Sequence, residues 1–235
     1  MKSRKNIRHS SKSGGNKRVS GKTGLPPGSL VHIGKVHKDT VSVCITEFDD
    51  SAIRNFEVSD PTRFDFTDQS RLRWIEIEGL QDIALIERIG KGFKINSMVL
   101  EDILNTEHRP KSEVHDGVLF LTMKAFFLHG QNEIQSEQAS FLLGDRFLVS
   151  FLEKDHTWFD PVKNMMLEDS GKFRQRGLDY LLYSLIDVLI DQYYEIVEGI
   201  ADQLEDLEEQ IFENPSQELV EKIRLIKKDI ITIRK

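Results

Sequence analysis

One long amphipathic pattern in the C-terminal part of the sequence constrains the fold most. Between residues 173 and 213, apolar side chains recur every three or four residues, which places them on one face of an α-helix. The stripe consists of Leu182, Leu185, Leu189, Tyr193, Ile196, Ile200, Leu204, Leu207 and Ile211. The pattern therefore predicts a long helical arm over residues 173–213.

The opposite side of this arm is acidic. Its carboxylates are Asp187, Asp191, Glu195, Glu198, Asp202, Glu205 and Glu209. Several lie four residues apart, and like charges at that spacing destabilise an isolated helix by roughly a few tenths of a kcal/mol each. Such a band either attracts counter-cations or is simply tolerated, and both interpretations stay open at this point.

A further helix is predicted after the arm. Asn214 is a suitable N-cap, Pro215 suits the first helical position and Gln217 the third. The sequence offers no capping signal at Lys235, so the helix is expected to continue further. We interpret residues 214–235 as the start of a truncated stalk helix.

Residues 24–172 alternate between strand-like and helix-like patterns. Strands are predicted at 30–33, 41–48, 72–77 and 118–128, and a hairpin joins 138–143 to 146–152 across Gly144 and Asp145. A helix is predicted at 81–89, ended by Gly90 and Gly92. This alternation indicates an α/β fold, in which a mixed β-sheet is layered between helices and is followed by long antiparallel C-terminal helices.

Charge and composition limit the possible functions. The net charge of −7 divides into +8 for residues 1–22 and −15 for the remainder, so the body should repel nucleic acid and attract cations. Residues 1–23 have little to bury and are expected to form a disordered basic tail. The single cysteine, Cys44, fits a reducing cytosolic location. No run of about 18 apolar residues is present, so no membrane span is predicted.

A short helix between residues 96 and 105 carries the candidate site. Asn96 or Ser97 can cap it, and its apolar residues, Val99, Leu100, Ile103 and Leu104, share one arc. Glu101 and Asp102 fall on the opposite side, where we expect them to face water. Adjacent carboxylates on a surface helix usually only contribute charge that keeps the protein soluble. They can also bind a hard cation such as Mg²⁺, which keeps several waters and needs only one or two carboxylates.

Several sequence blocks, in order along nearly the whole chain, resemble the cytoplasmic domain of CorA-type magnesium/cobalt channels. The most specific is Leu-Glu-Asp-Ile-Leu-Asn at 100–105, followed by Arg109-Pro110-Lys111. The other blocks are Gly-Leu-Pro-Pro-Gly at 24–28, Trp-Ile-Glu-Ile at 74–77, Ser-Glu-Gln-Ala-Ser at 136–140, Asp-Pro-Val at 160–162 and Asp-Tyr-Leu-Leu-Tyr-Ser-Leu-Ile-Asp at 179–187.

The resemblance implies a regulatory metal site. In that family the aspartate matching Asp102 binds a regulatory divalent ion between subunits, and the residues matching Glu101 and Asp187 contribute to a second, weak site. It further implies regulatory Mg²⁺ with Co²⁺ possible, a homopentamer, a full-length protein of the inner membrane held there by C-terminal helices, and a cytoplasmic location for this segment. A histidine common in the family is replaced by Glu107, which argues against imidazole ligation of Co²⁺ at that position.

The sequence leaves three other interpretations to weigh: an enzyme, a zinc transporter and a soluble scaffold. His108, Glu113, His115 and Asp116 lack the helical spacing of a metallohydrolase, and Gly-Lys-Gly at 90–92 follows a helix rather than a strand, so the sequence does not indicate an enzyme. A zinc transporter of the same architecture would look similar in this region. A soluble scaffold with acidic helical arms that bind protein partners is the third possibility.

Overall fold

The computed structural model describes residues 24–34, 40–68, 70–129, 133–154, 156–168, 172–213 and 216–234. The strands within these ranges are β1 (Ser42–Phe48), β2 (Ile53–Glu57), β3 (Leu72–Glu78), β4 (Lys111–His115), β5 (Val118–His129), β6 (Glu133–Leu143) and β7 (Phe147–Leu152). The helices are α1 (Ile83–Gly92), α2 (Ser97–Leu104), α3 (Asp160–Glu168), α4 (Lys172–Glu213) and α5 (Gln217–Ile233). The predicted disordered tail, residues 1–23, lies outside the described ranges.

All seven strands belong to one mixed sheet with the order β2-β1-β3-β7-β6-β5-β4. The central pair β3 and β7 is parallel, and every other neighbouring pair is antiparallel. The hairpin between β6 and β7 closes where expected, with the Gly144 amide donating to the Phe147 carbonyl at 2.9 Å. The α/β class and the mixed sheet are therefore confirmed.

The two faces of the sheet carry different helices, because successive side chains of a strand point to opposite sides. On one face, Ile75, Val149 and their neighbours pack with the apolar residues of α1 and α2. On the other face, Trp74, Leu148 and their neighbours pack with α3 and the first half of α4. The sheet is thus a middle layer between two helical layers.

The helical hairpin of α4 and α5 has a smaller core of its own. Ile200 and Leu207 of α4 meet Leu219 and Ile226 of α5, and the same cluster reaches Phe126 at the end of β5. Lys228 of α5 also pairs with Glu133 of β6 at 3.4 Å. In this structure α5 folds back against the sheet, while its assignment as the start of a stalk stays a prediction.

The starts of α4 and α5 differ in detail from expectation, whereas α4 ends at Glu213 as predicted. Gly177 has φ 79° and ψ −169°, a backbone conformation outside the helical region, so the uninterrupted part of α4 begins after it. At the next helix, Ser216 is the N-cap and its hydroxyl accepts from the Leu219 amide at 3.4 Å. The predicted cap Asn214 and the following Pro215 lie outside the described residues.

The predicted strand at 30–33 is wrong. Ile33 makes only an isolated parallel bridge with Asn105, in which its amide donates to the Leu104 carbonyl and its carbonyl accepts from the Thr106 amide, both at 2.9 Å. This segment therefore joins the C-terminal end of α2 instead of the sheet. The sequence patterns also missed β2, β4 and α3, which are short and rich in polar residues.

Of the two glycines expected to end α1, Gly92 is its last residue and Gly90 lies inside it. A Cβ on Gly90 would stand 2.3 Å from Leu100 Cδ1, which is too close for any side chain. Gly90 is therefore needed for the close approach of α1 to α2 rather than for helix termination. This contact fixes the position of the helix that carries Glu101 and Asp102.

Candidate metal centre

Local sequence signals and packing together position α2. The Asn96 side chain accepts from the Met98 amide at 2.9 Å and caps the helix, as predicted. The expected face, Val99, Leu100, Ile103 and Leu104, is buried against α1 and the sheet. The acidic side of the helix therefore points away from the core.

Glu101 is bound to the segment that precedes the sheet. Its Oε2 accepts from the Gly28 amide at 2.7 Å. Gly28 has φ +81°, and a Cβ there would meet the Ser97 hydroxyl at 2.5 Å. The Glu101 carboxylate is half-buried and helps to hold residues 24–28 over the start of α2.

Asp102 is ion-paired within its own chain. Its Oδ2 lies 2.7 Å from Lys111 Nζ, and its Oδ1 lies 3.4 Å from His108 Nε2. Only 19% of the side chain is exposed. The expectation that both carboxylates face water is therefore wrong in this respect: each is half-buried and has a partner.

Lys111 is shared between two carboxylates. Its ammonium lies 2.7 Å from Asp102 and 3.0 Å from Glu113. Burial alone would lower the pKa of Lys111, but its hydrogen bonds to these two groups outweigh burial and raise that pKa above its ordinary value. The ammonium is therefore charged at neutral pH and neutralises the carboxylate that the sequence singled out for a cation.

A second group of contacts anchors the C-terminal end of α2 to the sheet. Gln138 Nε2 on β6 donates to the carbonyls of Asp102 and Ile103, each at 3.2 Å. Lys124 Nζ on β5 donates to the Thr106 carbonyl at 2.5 Å. The backbone position of Asp102 is therefore set by the sheet as well as by α1.

Glu153 lies beneath this anchor and was not identified from the sequence. Its Oε1 accepts from the Gln138 amide at 2.7 Å, and it is 8% exposed. Burial is the main cause that raises its pKa to about 7, against the opposing effect of that amide. The sequence carries no signal for this, because a glutamate directly after an apolar strand usually marks the point where the chain reaches water.

The donor set at α2 suits a hard cation in part. Glu101 and Asp102 border one cavity of about 270 Å³, together with Pro26, Ser29 and Met98. Carboxylate and hydroxyl oxygens are ligands that Mg²⁺ accepts. However, no group of three or more His, Cys, Asp or Glu side chains within the described ranges is arranged to hold a metal ion. A cation here needs water or a second copy of the chain to complete its coordination.

The third predicted ligand is remote from the other two in one copy. Asp187 is exposed on α4, next to Tyr183 and Ile190, which are 60% and 40% exposed. α4 packs on the face of the sheet opposite to α2. Asp187 and Glu101, the predicted second site, can therefore share an ion only if they come from different copies.

The alternative cluster of His and acidic residues forms a single close contact. His115 Nε2 lies 3.1 Å from Glu113 Oε2 on β4, and Asp116 occupies the following turn with φ 50°. His108 points instead to Asp102. The structure thus places only His115 and Glu113 of these four residues in direct contact, while His108 approaches Asp102.

Comparison with known proteins gives consistent matches. A family model described as CorA-like Mg²⁺ transporter protein matches residues 69–235. The chain is 37% identical over 221 residues to the cobalt/magnesium transport protein CorA of Thermotoga maritima, covering 93% of this chain and 63% of that relative. The chain thus spans somewhat less than two thirds of the relative's length.

Solved structures share the fold at lower identity. The soluble domain of CorA from Methanocaldococcus jannaschii has a TM-score of 0.60 at 17% identity, covering 82% of this chain and 72% of that one. The ZntB cytoplasmic domain from Vibrio parahaemolyticus has a TM-score of 0.59 at 16% identity, covering 81% and 72%. Across the residues that the structure describes, no helix is long and apolar enough to cross a bilayer.

Proposed function

This chain belongs to the family of CorA-like Mg²⁺ transporter proteins, and we propose that it is the cytoplasmic, divalent-cation-sensing domain of a Mg²⁺/Co²⁺ channel of the inner membrane. The observation that carries the proposal is the position of Glu101 and Asp102, which border one cavity on the outer side of α2. The 37% identity to a cobalt/magnesium transport protein supports Mg²⁺ as the ion.

The ion pair at Asp102 describes how the proposed sensor is stabilised when no metal ion is bound. Lys111 neutralises Asp102 in place of a metal ion, and the His108 ring lies 3.4 Å from the same carboxylate. A divalent cation that binds Asp102 must displace the ammonium, which can stay paired with Glu113 at 3.0 Å. At Asp102, the single positive charge of the Lys111 ammonium is then replaced by the double positive charge of the metal ion. The cation thereby changes the local charge with little rearrangement of the backbone.

The proposed metal sites lie between copies. Asp102 and Asp187 lie on opposite faces of the sheet, and a single copy lacks a complete set of ligands among its described residues. In a homopentamer, α2 of one copy would face a helix of its neighbour. Bound Mg²⁺ would hold opposing carboxylates together and favour the closed channel, because it binds that state more tightly.

Zinc is the second candidate ion. The likeness to the ZntB cytoplasmic domain and the imidazole of His108, 3.4 Å from Asp102, favour it. Zn²⁺ accepts imidazole readily, whereas Mg²⁺ prefers oxygen ligands. Replacing His108 by alanine distinguishes Zn²⁺ from Mg²⁺. The protection of α2 by Zn²⁺ would weaken in this variant, and the protection by Mg²⁺ would remain.

Hydrogen–deuterium exchange during a Mg²⁺ titration tests the proposal. In the assembled protein, we expect Mg²⁺ to slow exchange in α2, and Asp102→Asn to shift the midpoint at least about tenfold higher, as removal of an essential metal-site group does. Asp116→Asn is the matched control, because it removes an exposed carboxylate from a position with φ 50° that asparagine tolerates.

Two results would contradict the assignment. If Asp102→Asn and Asp116→Asn shift the Mg²⁺ midpoint of α2 protection equally, Mg²⁺ acts through general surface charge. If channel currents of the intact protein keep their normal response to internal Mg²⁺ after Asp102→Lys, then Asp102 does not sense the ion.

A further inference from the structure

A basic cleft lies between the helical hairpin and the loop that follows α2. Its volume is about 690 Å³, within the range of small-molecule sites, about 300–1,000 Å³. Arg109 contributes from the loop, Lys124 from β5 and Arg234 from the end of α5. His108, Ser136 and Thr232 also line it.

The charge of this cleft is opposite to that of the rest of the body. Three cationic side chains face a single carboxylate, Glu107, in a part of the sequence that carries −15 in total after residue 22. Within the described residues, the guanidinium groups of Arg109 and Arg234 take part in neither an ion pair nor a hydrogen bond, unlike the paired Arg73 and Arg224. The cleft therefore brings together two arginines without an ion-pair partner among the described residues and one lysine that nearby carboxylates compensate only in part.

Lys124 is the most buried of these cations. Its ammonium donates to the Thr106 carbonyl at 2.5 Å. Burial lowers the pKa of Lys124 below its ordinary value, and the carboxylates of Glu153 and Glu107 oppose this effect only in part. A negatively charged ligand in the cleft would stabilise the charged ammonium.

The cleft also joins two parts of the molecule. Arg109 lies on the loop beyond Asp102, whereas Arg234 lies at the end of the hairpin that packs on β5 and β6. Sites between such units are common positions for ligands. A ligand that contacts both arginines would tie α5 to the loop next to the candidate metal centre.

We propose that this cleft binds a phosphate-bearing anion with at least two negative charges, held by the fork-shaped guanidinium groups of Arg109 and Arg234 and by the ammonium of Lys124. The planar guanidinium donates two parallel hydrogen bonds to phosphate oxygens, and the ammonium acts as a point charge. The Ser136 hydroxyl suits one of the remaining oxygens, whereas the Thr232 hydroxyl donates to the Lys228 carbonyl at 3.0 Å. The cleft exceeds the size of one phosphate, so a diphosphate group or a phosphorylated lipid headgroup fits its chemistry.

Calorimetric titration of the full 235-residue chain with inorganic pyrophosphate tests this site. The buffer is free of divalent metal, so the result does not depend on the proposed Mg²⁺ function. We expect saturable binding that Arg109→Gln and Arg234→Gln each weaken by about tenfold, the loss typical of one charge-assisted hydrogen bond. Both residues are exposed, so neither change should affect folding.

The matched control is Arg54→Gln, which removes an exposed arginine from the edge strand β2, far from the cleft in the sheet order. Binding should be unchanged in this variant. Hydrogen–deuterium exchange gives a second readout: pyrophosphate should slow exchange at the end of α5 in the wild type and fail to do so in Arg109→Gln.

Co-sedimentation with vesicles distinguishes the source of the phosphate. Binding to phosphatidylcholine vesicles that contain a phosphoinositide, without binding to soluble pyrophosphate, assigns a lipid headgroup if Arg109→Gln abolishes it. The proposal is overturned if neither ligand binds, if Arg54→Gln weakens binding as much as Arg109→Gln, or if only a polyglutamate peptide binds.

Discussion

Replacing Glu153 by glutamine should stabilise the protein at alkaline pH. The side chain is 8% exposed, and burial raises its pKa from an ordinary value of 4.5 to about 7. The charged groups that face it are Lys124 on β5, which favours ionisation, and Glu137 on β6, which opposes it. The hydrogen bond from the Gln138 amide also favours the ionised form but does not outweigh burial.

The direction of this stability change follows from the raised pKa of Glu153 in the folded state. Below about pH 4.5 the carboxyl is protonated in both folded and unfolded chains and contributes no difference in stability. As the pH rises, the unfolded chain loses its proton first, so the free energy of unfolding falls. The full penalty, about 3 kcal/mol, is reached above about pH 7, where the folded protein must also ionise this buried group.

Urea denaturation at two pH values measures the effect. We expect Glu153→Gln to raise the free energy of unfolding by about 3 kcal/mol at about pH 8 and to change it little at about pH 4.5, because glutamine keeps an oxygen for the Gln138 amide without the charge. Equal effects at both pH values would refute the argument that burial of charge, rather than packing, controls this position.

Glu137 provides a contrasting control on the same strand as Gln138. Burial alone would raise the pKa of Glu137, but hydrogen bonds from His156 and Lys154 outweigh burial and lower it. Its charge therefore stabilises the folded state above the unfolded pKa, and that contribution is lost as the pH falls through the folded pKa. Glu137→Gln should destabilise the protein at alkaline pH, opposite to Glu153→Gln.

Two further predictions concern the position and the charge of α2. Gly90→Ala should destabilise the protein by about 1–3 kcal/mol in the same urea assay, because its Cβ would stand 2.3 Å from Leu100 Cδ1. Gly199→Ala should instead stabilise it by up to about 1 kcal/mol, because this α4 glycine has no neighbouring atom within 4 Å of a new Cβ; a loss of similar size in both variants would contradict the packing argument. Lys111→Met removes the ammonium that competes for Asp102 and should lower the Mg²⁺ midpoint of α2 protection by about two- to fivefold, the free energy of a partly exposed ion pair. A higher midpoint would show that Lys111 supports cation binding rather than opposing it.

Features set by neighbouring residues could be predicted from the sequence. The cap at Asn96, the buried arc of α2 and the turn at Gly144 all depend on contacts within a few residues. The apolar strands β3 and β7 were found because their side chains are nearly all buried. The segment at 30–33 was misassigned because its partner, the end of α2, lies about 70 residues away and leaves no local signature.

The charge state of the candidate site could not be predicted for the same reason. Lys111 stands in a recognisable Arg-Pro-Lys block, but nothing local shows that its ammonium reaches Asp102 nine positions earlier. Gln138 and Glu153 support α2 from strands that are distant in sequence. The pattern located the carboxylates, and only the folded chain shows what neutralises them.

The break at Gly177 has a mechanical consequence for the helix that follows. Residues 178–213 form an uninterrupted helix of about 54 Å at 1.5 Å per residue, preceded by a glycine whose φ of 79° most side chains cannot adopt. A change of about 5° in the direction of this helix would displace its far end by about 5 Å, the rise of one helical turn. A small change in the packing of α4 on the sheet would therefore produce a displacement of about one helical turn at the far end of the helix.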